Sequence, residues 1–429
     1  MAAAGSAVGI GNIWRFPYVA GENGGGAFLL IYLGIILAFG LSVALAEMLV
    51  GRTGQKNPVG AFRAIKGPPW TGVGYIGVLT GFVILSFYIV VAGWTLSYML
   101  FMLDGTLVGV NPDTAQGIFF DFAGDTVRPL VAAAVFMLLT AIVVAGGIGK
   151  GIERANKFLM PALFVILILL VLRSITLPGA GEGLRFFLAP DFSKVTGATF
   201  TAALAQAFFS LSLGMGTMLT YGSYLKADEN LPSAGLTVVA LDSGVAIMAG
   251  LMILPAVFAA GFNPSAGVGL TFFTLPAVFD AMPGGTFFGV AFFGLLSIAA
   301  LTSAVSILEP MISYVSEEHD LPRRKVVFGA ALVCFSLGVP ASLSFGALAD
   351  VTVFDRNWFD LMDFMANSIL LPLGGLLTAI FVGWIWGKPA LAALSNQGTL
   401  HQPWAPAWLF ILRFVAPVGI AWILLSAFL

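Results

Sequence analysis

The sequence predicts an all-α integral membrane protein, a bundle of about eleven transmembrane helices with almost no soluble mass. First, 59% of its 429 residues are hydrophobic and only 9% are charged, whereas a soluble domain carries about 25% charged residues. Second, the mean hydropathy is +1.00 in a chain of 44.9 kDa. One core in a chain of that size cannot hide so much apolar surface, so lipid is its second solvent. Third, 52 glycines and 38 phenylalanines fit membrane helices, where glycine is more frequent than in soluble ones. Composition also narrows function. A formal net charge of −2, with basic residues thinly spread, argues against a nucleic-acid partner. The single cysteine, Cys334, excludes an intramolecular disulfide, and His319 and His401 lie too far apart in sequence to seed a zinc site. No GxxxxGK[ST] loop occurs, so any pumping draws on an ion gradient rather than ATP.

A spanning helix takes about 20 mainly apolar residues. The candidates are 1–20, 27–50, 72–102, 127–147, 158–175, 200–225, 234–261, 287–316, 326–348, 361–387 and 404–428. The third and eighth are long enough to tilt or protrude. Arg52, Lys56, Arg63 and Lys66 follow the second span, and Lys150, Arg154 and Lys157 separate the fourth from the fifth. Lys226 follows the sixth, Arg323, Arg324 and Lys325 the eighth, and Lys388 the tenth. The alternate connections hold few basic residues: Arg128, Arg185, Lys194 and Arg356. This bias puts the amino terminus in the cytoplasm and the carboxyl terminus outside. Segments 103–126, 176–198 and 262–286 are then external, and the last two, rich in Pro, Gly and Phe, are expected to cap the bundle. The opening Met1–Ala4 has no basic leader, so it is not a signal peptide. It reads as a truncated start that lacks the inner end of the first helix.

Two spans look built to break. One runs Gly5-Ser6-Ala7-Val8-Gly9-Ile10-Gly11-Asn12 and continues into Trp14-Arg15-Phe16-Pro17; the other runs Phe209-Ser210-Leu211-Ser212-Leu213-Gly214-Met215-Gly216-Thr217. Backbone in hydrocarbon must bond internally unless it lines a protein or water cavity. A break frees carbonyls that can ligate a cation and N–H groups that favour a carboxylate. Small residues also serve close helix packing. Two breaks at corresponding places in helices 1–5 and 6–10 favour the other reading, the central site of a transporter.

Intramembrane charges point the same way, since Arg15, Glu47, Asp242, Glu309 and Asp363 are costly in lipid and should face the interior. Arg15 and Asp363, at the outer ends of helices 1 and 10, can form an opening and closing pair or a static one. Glu47 reads as a structural partner at least as readily as a functional one. Thr302 and Ser303 in helix 8 offer hard oxygens for a small cation, although such hydroxyls also bond the preceding helical turn. Tyr88 in helix 3 can donate to a substrate carboxylate or serve as a core aromatic.

These motifs resemble the neurotransmitter:sodium symporter family, in particular its bacterial amino-acid transporters. The likeness is carried by Gly5–Tyr18, Glu22-Asn23-Gly24-Gly25-Gly26-Ala27-Phe28, Gln206–Gly214, Tyr221-Gly222-Ser223-Tyr224 and Leu301-Thr302-Ser303, and it spans essentially the whole chain. It implies one transporter domain, 1–429, of the leucine-transporter type. The 5+5 inverted repeats would be about 1–175 and 200–387, with an additional helix 404–428. It also implies a bacterial inner (cytoplasmic) membrane and sodium-coupled import of an L-amino acid. Oligomeric state is left open.

By the same resemblance, one sodium would meet the Ala7 carbonyl, Asn12, Ser210, Asp242 and the substrate carboxylate. A second would meet carbonyls of Gly5, Val8 and Ala299 with the hydroxyls of Thr302 and Ser303. The substrate carboxylate would meet amides near Ile10 and Gly11 and the Tyr88 hydroxyl, and its ammonium the carbonyls of Ala7, Phe209 and Ser210. Ile84, Tyr88, Phe209, Ser212, Met215, Ser303 and Ile307 would form the side-chain pocket. Arg15 and Asp363 resemble an outer gate, with Gln206 nearby and Phe209 as lid. Tyr224 and Glu317 resemble the partners of an inner gate whose Arg and Trp would precede helix 1. The pocket has no free carboxylate for a monoamine, so hydrophobic or aromatic L-amino acids are expected. Asp242 stands where many relatives have Asn, and Ala246 where they have Ser or Glu, which favours chloride independence. Gly151 and Pro161 match a spacing seen where the inner half of helix 5 unwinds, although Pro alone is a generic kink. The alternatives are a non-transporting amino-acid sensor and an ion channel, which would need a continuous polar pore. No Ser/His/Asp or metal set supports an enzyme.

Overall fold

A computed structural model describes residues 8–226, 228–265 and 269–426. Its helices are α1 (Gly11–Arg15 with Phe16–Glu22), α2 (Gly26–Gly54), α3 (Pro68–Leu103), α4 (Arg128–Ala145) and α5 (Ile148–Ile175). The second half holds α6 (Gly197–Ser210 with Thr217–Ser223), α7 (Leu231–Ala259), α8 (Gly285–His319), α9 (Arg323–Leu343), α10 (Trp358–Trp386) and α11 (Ala405–Ser426). Among the described residues nine helices are long and apolar enough to cross a membrane. The expected spans outside that set are the sixth, which is interrupted between Ser210 and Thr217, and the first, whose opening residues lie outside the described ones.

Most boundaries follow local chemistry. Asn57 starts the short helix Pro58–Lys66 by accepting from Val59 N and Gly60 N at 3.0 and 2.9 Å. Asn230 caps α7 through Ser233 N, and Asn357 caps α10 through Asp360 N. The fifth span corrects its expected start. Residues 148–157 continue the helix through a π-helical turn at Ile148–Glu153, so Lys150, Arg154 and Lys157 lie on α5 rather than in a connection. Gly146 and Gly147 alone make the turn, because the backbones of Gly146 and Gly151 lie in contact there. Span nine likewise ends at Leu343 rather than 348.

Packing divides the bundle into two cores. One joins α3, α4, α5 and α8, with α8 lying along α3. The other joins α2, α6, α10 and α11. Four helices contribute to both: α1 gives Ile13 to the first and Phe16 to the second, α7 likewise gives Val245 and Val238, α10 gives Leu371 and Ala379, and α3 adds Val73 to the second. The start of α1 is therefore held among α6, α7 and α8. Apolar residues such as Phe158, Val165, Leu332 and Val418 remain exposed on the outside, as lipid-facing positions require. Helices Ala180–Leu188 and Leu270–Asp280 occupy the two segments expected to cap one end, and Pro112–Ala123 lies in the third segment expected to be external. That end, which the basic residues assign to the outside, is called outer below.

Candidate functional site

The start of α1 and the break in α6 meet at the centre. In α6 the chain leaves helical geometry after Ser210, passing through Ser212, Gly214 and Gly216 at φ of 54, 81 and 77°. A Cβ on Gly214 would run into the Leu371 carbonyl of α10, so neither its backbone angle nor its surroundings admit a side chain. The freed Gly214 N–H donates to Glu47 Oε1 at 2.7 Å. Glu47 thus closes a backbone gap that membrane surroundings cannot solvate.

Asn12, Ser210 and Asp242 converge, all buried. The Asn12 amide nitrogen donates to Ser210 Oγ at 3.0 Å, Asp242 O at 3.0 Å and Asp242 Oδ1 at 2.8 Å. Ser210 Oγ donates to Asp242 Oδ1 at 2.7 Å. Three oxygens from α6 and α7 therefore surround one partly positive group. Asn12 Oδ1 points away and accepts from Gly9 N at 2.9 Å; rotating the amide exchanges this donor for a fourth oxygen. An oxygen-only set with one carboxylate suits a hard monovalent cation. Tyr32 of α2 donates to Asp242 Oδ2 at 3.1 Å, a contact not foreseen from sequence.

A second oxygen cluster lies between α1 and α8. Thr302 Oγ1 sits 3.1 Å from Val8 O and 2.9 Å from Ala299 O. Ser303 Oγ lies so close to Gly9 that a Cβ there would collide with it. Gly5 and Ala7, expected to contribute carbonyls, lie outside the described residues.

Beside both clusters is a cavity lined by Gly9, Gly11, Asn12, Ser210 and all seven expected side-chain residues: Ile84, Tyr88, Phe209, Ser212, Met215, Ser303 and Ile307. Its free volume is about 20 Å³. Phe209 rests on Gly11, where a Cβ would approach its ring to 2.8 Å. Tyr88 OH, expected to face a carboxylate, donates to Ala300 O at 3.3 Å. Ile10 is buried and does not line the cavity.

Above Phe209 and Tyr88, which line both spaces, opens an outer vestibule of about 330 Å³. Arg15 and Asp363 face it but form no ion pair. The Arg15 guanidinium instead lies 4.8 Å from the Phe209 ring centroid, and Asp363 Oδ1 accepts from Asn367 at 2.6 Å. The outer pair is apart. Gln206 Nε2 donates to the Gly11 carbonyl at 3.1 Å, while its buried Oε1 has no partner among the described residues.

The inner side is fastened. Tyr224 OH donates to Glu309 Oε1 at 2.7 Å, and Arg323 forks onto both oxygens of Glu309. Arg323 also donates to Val144 O at the end of α4. Glu317 Oε2 accepts from Asn57 N and Nδ2 at 2.8 and 2.9 Å, and Arg63 pairs with Glu318 at 3.0 Å. Sequence reasoning named Tyr224, Glu317 and Glu309 but not Arg323 or Asn57 as their partners. The Asn-Pro start of a helix was a legible signal for Asn57.

An all-α membrane bundle in which the start of α1 and the broken α6 surround buried oxygen clusters fits a secondary transporter. The chain matches the model of the sodium:neurotransmitter symporter family over residues 1–111 and 120–429, and it belongs to that family, whose members are sodium-dependent transporters rather than enzymes. It is 41% identical over 430 residues to the uncharacterized sodium-dependent transporter YhdH of Bacillus subtilis, covering 99% of this chain and 95% of that protein. A Haemophilus influenzae sodium-dependent transporter is 38% identical over 438 residues, with 99% and 95% covered. The crystal structure of MhsT in complex with L-phenylalanine superposes with a TM-score of 0.91 at 47% identity, covering 99% of this chain and 97% of MhsT.

Proposed function

We propose that this protein is a sodium-coupled symporter that imports hydrophobic or aromatic L-amino acids by alternating access. The observation that carries the reading is the Asn12–Ser210–Asp242 cluster beside a cavity walled by Ile84, Tyr88, Phe209, Met215 and Ile307. A cation there sits between the two broken helices and next to the place a carboxylate would take. The phenylalanine bound to MhsT supports an aromatic amino acid as cargo. A second sodium between Val8, Ala299, Thr302 and Ser303 would tie α1 to α8. Outer loading would spread Ile84, Met215 and Ile307, seat the side chain among them, and bring Phe209 and the Arg15–Asp363 pair over it. Helices α1, α2, α6 and α7 would then move against α3, α4, α8 and α9, within a fold of inverted repeats 1–175 and 200–387. The protein would sit in a bacterial inner membrane with a cytoplasmic amino terminus, and neither step makes or breaks a covalent bond.

Asp242 carries its own negative charge to the cation, so chloride is not required. The test is uptake of L-phenylalanine and a panel of L-amino acids in proteoliposomes, with sodium and then with chloride replaced by gluconate. Sodium-dependent uptake that persists in gluconate is the expected result. Binding that ignores sodium would sink the mechanism, and uptake lost in gluconate would sink the role given to Asp242.

A further inference from the structure

Arg173 lies in the last turn of α5 on the outer side, and its side chain makes no hydrogen bond or ion pair among the described residues. Its guanidinium lies 5.4 Å from the Phe288 ring centroid, and its Nε is buried without a partner. The next residue, Ser174, is 3% exposed, and its Oγ also lacks a partner. Ser42, Ser86 and Ser297 instead turn back onto a carbonyl one turn earlier, at 2.6 to 2.8 Å. Both residues border a cavity of about 20 Å³ between α5, α7, α8 and the capping helix Leu270–Asp280. The rest of its wall is apolar, including Met252, Ile253, Phe279 and Phe292. Two facts call for an occupant. Buried donors left unsatisfied keep the full penalty of losing water, and charges in membrane spans ordinarily meet a counter-charge or carbonyls. A cavity of that size holds roughly one water-sized sphere. A neutral water would satisfy the donors, whereas a monovalent anion would also meet the charge of the partly buried guanidinium, to which the described residues offer a ring face but no carboxylate.

We propose that Arg173 and Ser174 form a halide site, taking chloride in this cavity and fastening the capping helix to α5. The site is separate from the Asn12–Ser210–Asp242 cluster. Its chloride is structural, so uptake in gluconate persists with a less stable protein.

The test soaks crystals of the full chain in bromide and reads the anomalous map, while thermal unfolding of purified protein is followed against chloride, bromide and gluconate. A bromide peak beside Arg173 Nε and Ser174 Oγ is expected, with a saturable rise in Tm of about 1–2 °C at ten times the dissociation constant. The rise should vanish in R173Q and need several-fold more halide in S174A. A water in the cavity with no bromide peak overturns the proposal, as does a halide effect unchanged in both variants. The wild-type map decides the matter if R173Q fails to fold. A bromide peak beside Asp242 would count against chloride-independent coupling, a failure distinct from that of the Arg173 site.

Discussion

The two ends of the central site are built from similar parts held in opposite states. On the outer side an arginine and an aspartate face a common vestibule without touching, and the arginine rests on Phe209 instead. On the inner side an arginine and a glutamate are joined, with a tyrosine bonded to the same carboxylate. Glu309 is fully buried whereas Arg15 and Asp363 border open space. A buried pair that loses one partner leaves an uncompensated charge, so it resists opening more than a solvated pair resists forming. On the proposed function, this arrangement is one that would receive cargo from the outer side, with the inner side closed by contacts that must be exchanged rather than merely loosened.

Breaking the inner side should have the largest effect. Arg323→Gln leaves Glu309 buried and unpaired, at a cost of about 3–5 kcal/mol. Thermal unfolding should show the loss, and the double variant with Glu309→Gln should recover much of it. Recovery would fail if Arg323 acted only through Val144. At the outer side, Asp363→Asn leaves Arg15 on Phe209 but removes its closing partner. Uptake should fall about tenfold, the equivalent of one charge-assisted hydrogen bond, while equilibrium binding falls less. Equal losses of both would mean that Asp363 shapes the resting site rather than its closure. Phe209→Ala removes the lid and the surface on which Arg15 lies, so the apparent affinity for phenylalanine should drop by several-fold in a sodium-dependent binding assay. The smallest effect belongs to Asn57→Ala. It removes a helix cap and one of two bonds to Glu317, costing about 1 kcal/mol, with Asn57→Ser recovering the cap but not the Glu317 contact.

Much of this was legible in the sequence because it depends on local chemistry. The glycine pairs around Ile10 and Met215 mark where α1 and α6 cannot continue, and Asp242 and Thr302 are polar in otherwise apolar runs. The start of α5 was not legible, because Lys150, Arg154 and Lys157 resemble a loop and only the close approach of Gly146 to Gly151 makes the turn short. Tyr32 was missed since an aromatic in an apolar helix carries no sign of its partner, and Asp242 is 210 residues away. The state of the gate was also hidden. Sequence supplies Arg15 and Asp363 as potential partners, but whether they touch is a property of the conformation.

The contrast between the two ends is tested most directly at Asn367, which lines the outer vestibule beside Asp363. The protein's cysteine, Cys334, is buried, so Asn367→Cys with Cys334→Ser gives one reporter for a membrane-impermeant maleimide added from outside. Labelling should be fast without cargo and slow several-fold when sodium and phenylalanine are added together, with neither sufficient alone. Slow labelling in the empty protein, or a rate indifferent to sodium and phenylalanine, would contradict an outer side that stands open and closes over its cargo.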